Sequence, residues 1–284
     1  MALKVGIQMY SIREPFAKDP IGTIRKVAEI GYKYIELANL NAVTDFGCGF
    51  NVPAAELKKT SEENDFTILS AHIDPFDKDN ADKVLEYHAE LGTKFLASKP
   101  ATAHMEDVMR ACETYNWLGE KCRQYGIQHM FHTGHCGFCE DGEWTLDKIA
   151  RNTTPENLKF EIDTFWMLRS GFDPCEVIKK YADRAVLIHQ KDLAKDFKGV
   201  VNLNSLLKPG EQIDHENFNT FLNHEDFCEV GTGQMALQDI IDTTVQYTKA
   251  THIILEQDFS RYEQLESIRI SMESFKKQKN IIFD

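Results

Sequence analysis

Ile127-Gln-His-Met-Phe-His132, Leu158-Lys-Phe-Glu-Ile-Asp163, Ala185-Val-Leu-Ile-His189 and His252-Ile-Ile-Leu-Glu256 are four short apolar runs, each closed by a metal-capable side chain. Runs of this length and composition read as strands buried on both faces, the form that parallel sheets take. If all four run the same way in one sheet, His132, Asp163, His189 and Glu256 lie at its one edge. The separations are 31, 26 and 67 residues. The first two match one strand-plus-helix unit each. The third is one such unit plus an insertion, with a helical pattern at 236–248 as the crossover.

The rest of the chain keeps this rhythm. Strand patterns lie at 4–9, 34–37, 67–72 and 94–98, ahead of the four runs above. Helical periodicity lies at 20–30, 53–64, 81–91, 105–125, 146–151, 174–181 and 261–278. Gly31, Gly92 and Gly126 close three of these helices, and Pro53 opens one at its first turn. Strands alternating with helices imply parallel strands and right-handed crossovers. Eight such units predict an α/β fold, a single-domain (β/α)₈ TIM barrel over 1–284. One stretch breaks the pattern: 195–234 is polar and weakly periodic, and reads either as a lid or interface segment or as a plain surface insertion.

Bulk properties narrow the function. The chain is 42% hydrophobic, so a large core is available. No apolar run approaches the roughly 20 residues that span a bilayer, and the first residues enter a strand pattern without the features of a signal peptide. A cytoplasmic protein is expected. Seven cysteines, odd in number and irregular in spacing, fit free thiols in a reducing compartment. Cys136-Gly-Phe-Cys139 has no second pair to complete a zinc ribbon. The net charge of −13, from 32 basic and 45 acidic residues, disfavours nucleic acid as a partner. A charge of that sign says little about small neutral substrates. The insertion and final helix offer surfaces for a homodimer.

In a barrel the chemistry sits at the C-terminal ends of the strands. Two imidazoles and two carboxylates meeting there suit one divalent ion such as Mn²⁺, Zn²⁺, Co²⁺ or Fe²⁺ better than Ca²⁺ or Mg²⁺. Each residue also has a plainer reading. Asp163 could cap a turn, and Glu256 could be a surface acid. Glu161 precedes Asp163 by two residues and shares its strand face. Lys191 follows His189 and could hold a substrate oxygen or be a surface charge. Glu36 and His72 end the second and third strands, facing the mouth as substrate contacts, although His72 could equally be a satisfied interior histidine. Trp166 could wall a sugar ring or pack in the core. Glu229-Val-Gly-Thr-Gly233 ends the insertion, and its glycines permit close backbone approach.

At these residues the chain resembles the xylose isomerase-like barrel superfamily, in its sugar phosphate isomerase/epimerase branch. Gly6-Ile-Gln-Met-Tyr-Ser11, Gly31-Tyr-Lys-Tyr-Ile-Glu-Leu37 and Ser70-Ala-His72 are similar to its first strands. Ile162-Asp-Thr-Phe-Trp166, His189-Gln-Lys-Asp192, Glu229-Val-Gly-Thr-Gly233 and Ile254-Leu-Glu-Gln-Asp258 are more distinctive. The resemblance implies a TIM barrel holding one divalent metal, most often Mn²⁺, on ligands from the fifth to eighth strands. It implies proton transfer next to the carbonyl of a keto-sugar or sugar phosphate. Glu256 is the expected base, and His132, His72 or Lys191 the group that returns a proton; Glu229 is expected at the substrate. Inosose dehydratase-like relatives run a dehydration on the same scaffold. Endonuclease IV-like phosphodiester cleavage fits the negative charge and sparse ligands poorly, and a non-catalytic sugar-binding barrel is the third reading. Many epimerases of the superfamily carry glutamate where His132 stands, so their two-glutamate mechanism does not transfer unchanged.

Overall fold

A computed structural model describes residues 2–98, 105–211, 213 and 217–283. Residues 212 and 214–216 of the expected insertion therefore lie outside the described residues. Eight parallel strands close into a barrel: β1 (Leu3–Gln8), β2 (Tyr34–Asn39), β3 (Thr67–Ile73), β4 (Phe95–Ser98), β5 (Gln128–His132), β6 (Lys159–Asp163), β7 (Ala185–Gln190) and β8 (His252–Leu255). Each pairs with the next in sequence, and β8 returns to β1 with Ile254 opposite Gly6. This is the expected (β/α)₈ architecture.

Helix boundaries follow local chemistry. Pro20–Ile30 begins with proline at its first turn and with the Asp19 side chain accepting from the Gly22 N–H. It ends at Gly31, whose φ of 115° costs a residue without Cβ nothing. Pro53 stands just outside its helix, at the N-cap of Ala54–Asn64. Two short helices, Arg13–Lys18 and Thr164–Arg169, lie where the sequence shows no amphipathic period. Six residues are too few turns to display one.

Alternation along the strands sorts side chains into layers. Met130, Leu187 and Ile254 point inward and form an apolar plug with Leu69 and Ala97. Two residues further along the same strands stand His132, His189 and Glu256, one layer nearer the mouth. The intervening Phe131, Ile188 and Leu255 face outward into the larger core beneath the helices. At Gly6 of β1 an added Cβ would lie 2.6 Å from Ile254 Cδ1 and 2.9 Å from the Tyr34 carbonyl oxygen. Backbone cannot yield as a side chain tip can, so Gly6→Ala is expected to destabilise the barrel by about 1–3 kcal/mol in urea unfolding.

The segment after β7 folds over the mouth. Asp192–Leu193 pairs antiparallel with Phe227–Cys228. Leu203, Leu222 and Phe227 from this segment pack with Phe165 and Trp166 in a separate apolar cluster. The glycines of 229–233 let the chain close on Asp192, whose Oδ2 accepts from the Gly231 and Gly233 N–H groups at 2.9 and 3.0 Å. Among the described residues no helix is long and apolar enough to cross a membrane. All seven cysteines are free thiols.

Candidate metal centre and active site

The four side chains that end β5 to β8 converge. Ligand-capable atoms of His132, Asp163, His189 and Glu256 all lie within 4.8 Å of one another. His132 Nε2 is 3.4 Å from Asp163 Oδ2 and 4.0 Å from Glu256 Oε2. His189 Nδ1 is 2.9 Å from Glu256 Oε2. Asp163 serves two ends: its Oδ1 accepts from the Trp166 N–H at 3.0 Å and caps Thr164–Arg169, while Oδ2 faces the cluster. The plain reading of this residue as a cap is thus met by one oxygen, which leaves the other free to face the cluster.

A second buried layer lies behind the quartet. Glu36 Oε2 accepts from His189 Nε2 at 2.5 Å and from Gln8 Nε2 at 3.0 Å. Glu161 Oε2 is 2.7 Å from His72 Nε2, and its Oε1 is 3.0 Å from His189 Nε2. The His72 and His189 rings stack with centroids 5.1 Å apart. On the other flank the Lys191 ammonium, 1% exposed, contacts Glu256 and lies 3.1 Å from Asp163 Oδ2 and 3.3 Å from Asp258 Oδ1.

Charge state follows from this crowding. Burial opposes a charge on His189, but Glu161, Glu36 and Glu256 raise its pKa well above that of a free imidazole. Burial alone would raise Glu256, yet Lys191 and His189 hold it well below the usual carboxylate range. His132 moves down through burial, only partly offset by the Asp163 carboxylate 3.4 Å from its Nε2, so its imidazole is neutral at pH 7. Burial pushes Asp258 up to about 6, with Lys191 opposing and Glu256 and Asp163 adding to the rise. The folded chain therefore holds a proton on Asp258 that the unfolded chain has lost between about pH 4 and 6. That contribution to stability is complete below pH 4 and gone above 6. Melting temperatures of the metal-free protein across this range are expected to show a downward component that Asp258→Asn removes.

Above the cluster opens a cavity of about 560 Å³. His72, His132, Trp166, Lys191 and Glu256 line it, as the sequence led us to expect. Glu36 does not: it is wholly buried, behind His189 rather than in the cavity. Nor does Glu229, whose Oε1 accepts from Ser260 and Ser267 hydroxyls at 2.6 and 2.9 Å. These bonds tie the end of the insertion to the loop after β8 and to the helix Gln264–Phe275, so the glycine-rich phrase is a clasp.

Gln8, Tyr10, Asp258 and Phe259 also line the cavity, with Ile213, Phe218 and His224 from the insertion. Asp258 carried a readable signal, since it follows Glu256 by two residues. The insertion residues carried none, because their position depends on how an irregular segment folds back.

The family described as xylose isomerase-like TIM barrel matches residues 24–250. In structure the chain is similar to a sugar phosphate isomerase/epimerase from Parabacteroides distasonis ATCC 8503, with a TM-score of 0.74 at 19% identity, covering 99% of this chain and 96% of that one. It is also similar to an IolI protein with a bound zinc atom, with a TM-score of 0.67 at 14% identity, covering 96% of each chain. Among curated proteins it resembles the inosose dehydratase of Salmonella typhimurium (strain LT2), 27% identical over 157 residues, 55% of this chain and 48% of that protein. The chain spans about half the length of that relative. A closed eight-stranded barrel, histidines and carboxylates converging at its mouth, and a family match across most of its length lead to one conclusion: the chain belongs to the xylose isomerase-like TIM barrel family.

Proposed function

We propose that this protein is a metal-dependent isomerase or epimerase that moves a proton next to the carbonyl of a keto-sugar or sugar phosphate. The observation that carries the proposal is the quartet at the floor of the cavity, with proton-carrying side chains on both flanks. The residues fit a divalent ion. His132 Nε2 and Asp163 Oδ2 are buried without a hydrogen-bond partner, and they are two of the four converging ligand positions. Two imidazoles and two carboxylates suit Mn²⁺, Zn²⁺, Co²⁺ or Fe²⁺, and the family resemblance puts Mn²⁺ first. Zinc in the similar IolI protein is consistent with such a site. When bound, the ion would act as a Lewis acid that makes the proton next to the carbonyl more acidic.

The chain's own groups do the rest. Glu256, held ionised at the cavity wall, accepts the proton from carbon. Lys191, on the same β7–β8 flank, keeps its charge because three carboxylates surround it, and steadies the negative oxygen that develops. His72, whose ring lies 4.6 Å from that of His132 on the β3–β5 flank, returns a proton from the other side. Trp166 supplies an apolar wall for a sugar ring.

A second reading, inosose-type dehydration, is favoured by the likeness to inosose dehydratases. There the same base acts and a β-hydroxyl leaves instead. One experiment separates the two. Protein purified without chelators is analysed for metal, then incubated with keto-sugars and keto-inositols in D₂O. Deuterium entering one carbon with the formula otherwise kept marks isomerisation or epimerisation; loss of water marks the dehydratase. Sugar binding with neither exchange nor water loss in any compound would leave only a binding protein.

A further inference from the structure

We propose that Glu36 is a positioning residue: its carboxylate takes the Nε2–H of His189 and so aims Nδ1 of that ring at the cation. The inference rests on the metal site proposed above. The two ring nitrogens of His189 face opposite ways. Nδ1 is 2.9 Å from Glu256 Oε2, on the quartet side, and Nε2 is 2.5 Å from Glu36 Oε2, on the buried side. An imidazole nitrogen cannot donate a hydrogen and ligate at the same time. Once the cation takes the place of the Nδ1 proton, the Glu36 bond therefore keeps the remaining proton on Nε2. Glu36 is itself held, since Gln8 Nε2 donates to the same oxygen at 3.0 Å. Glu161 adds a second negative charge, with Oε1 3.0 Å from His189 Nε2, and its Oε2 is tied to His72.

The same cluster admits a rival. His72, His132, Glu161 and His189 also have ligand atoms within 4.8 Å of one another, and Glu36 Oε1 and Glu161 Oε1 are buried without hydrogen-bond partners. A second cation there would need the lone pair of His189 Nε2, which the 2.5 Å spacing to Glu36 commits to a hydrogen bond. The geometry points to one ion, with Glu36 and Glu161 as supports and not ligands.

The test uses the full chain labelled with ¹⁵N-histidine and titrated with Zn²⁺, which is diamagnetic. Calorimetry should give one Zn²⁺ per chain. Glu36→Gln, which keeps an acceptor oxygen, should weaken zinc binding about tenfold, and Glu36→Ala about a hundredfold. The zinc-loaded protein should show a slowly exchanging, downfield His189 Nε2–H signal, absent from His189→Gln. Glu36→Gln should move it upfield, and Glu36→Ala should lose it. Should the alanine variant not fold, the glutamine variant decides alone. Unchanged affinity with an unmoved signal overturns the role of Glu36, as does a stoichiometry of two ions. No zinc binding by the unmutated chain overturns the metal site itself, and this role with it.

Discussion

Glu256→Gln should lower kcat by about 10²–10⁴-fold on whichever compound shows exchange in D₂O, the range that a positioned general base supplies. Glutamine keeps the shape of the side chain and a hydrogen-bond acceptor toward Lys191. It cannot take a proton from carbon. Glu256 lies at the cavity wall, touches His189 and Lys191, and is held ionised by them. Substrate affinity should change far less than turnover, because the lost interaction belongs to the transition state. Metal content must be measured alongside, since the same carboxylate is a proposed ligand. A variant that carries a full equivalent of metal and turns over at the unmutated rate rules Glu256 out as the base. A variant without metal moves the defect from proton transfer to ligation, and adding back a high metal concentration then tells which of the two roles dominates.

The second large effect is on stability. Lys191 is the cation of a buried cluster that includes Asp163, Glu256 and Asp258. Burial would push its ammonium toward the neutral form, but the three carboxylates outweigh burial and raise its pKa. Lys191→Met fills similar space and leaves those carboxylates without their counter-charge. Breaking a buried pair in this way costs about 3–5 kcal/mol. For a domain of this size that lowers the melting temperature of the metal-free protein by roughly 10 °C. Adding a divalent ion should recover more of the loss in the variant than it adds to the unmutated protein. Equal melting temperatures for the two metal-free proteins contradict this reading of the cluster. The loss should also shrink in acid, where the carboxylates take up protons.

The barrel was legible because its signals are local and repeated. Each strand announces itself as a mainly apolar run of four to seven residues, and glycine or proline marks many helix ends. Boundaries moved by a residue or two, as where the expected strand 4–9 became Leu3–Gln8 and Met9 turned into a short 3-10 helix. The quartet was legible for the same reason: a strand end is a fixed address in a barrel. Period two extended that reading to Glu161 and could have reached Asp258. The resemblance put Glu229 at the substrate, but its carboxylate accepts from the Ser260 and Ser267 hydroxyls, away from the cavity. The backbone amides of Gly231 and Gly233 are turned toward Asp192 instead.

Glu36 shows where sequence stops. Its strand was read correctly, but β2 runs on to Asn39, so Glu36 stands mid-strand behind a histidine and not at the mouth. That distinction depends on how far a side chain reaches across the barrel and on what fills the space above it. The sequence by itself determined the eight-unit architecture and the layer on which the polar residues gather, because strand periodicity and cap chemistry act between near neighbours. Only the tertiary structure decided which of those residues touch the cavity, which nitrogen of His189 faces which carboxylate, and that part of the insertion walls the site. Those outcomes arise from packing between segments distant along the chain, where a shift of one ångström changes a hydrogen-bond partner and no local pattern records it.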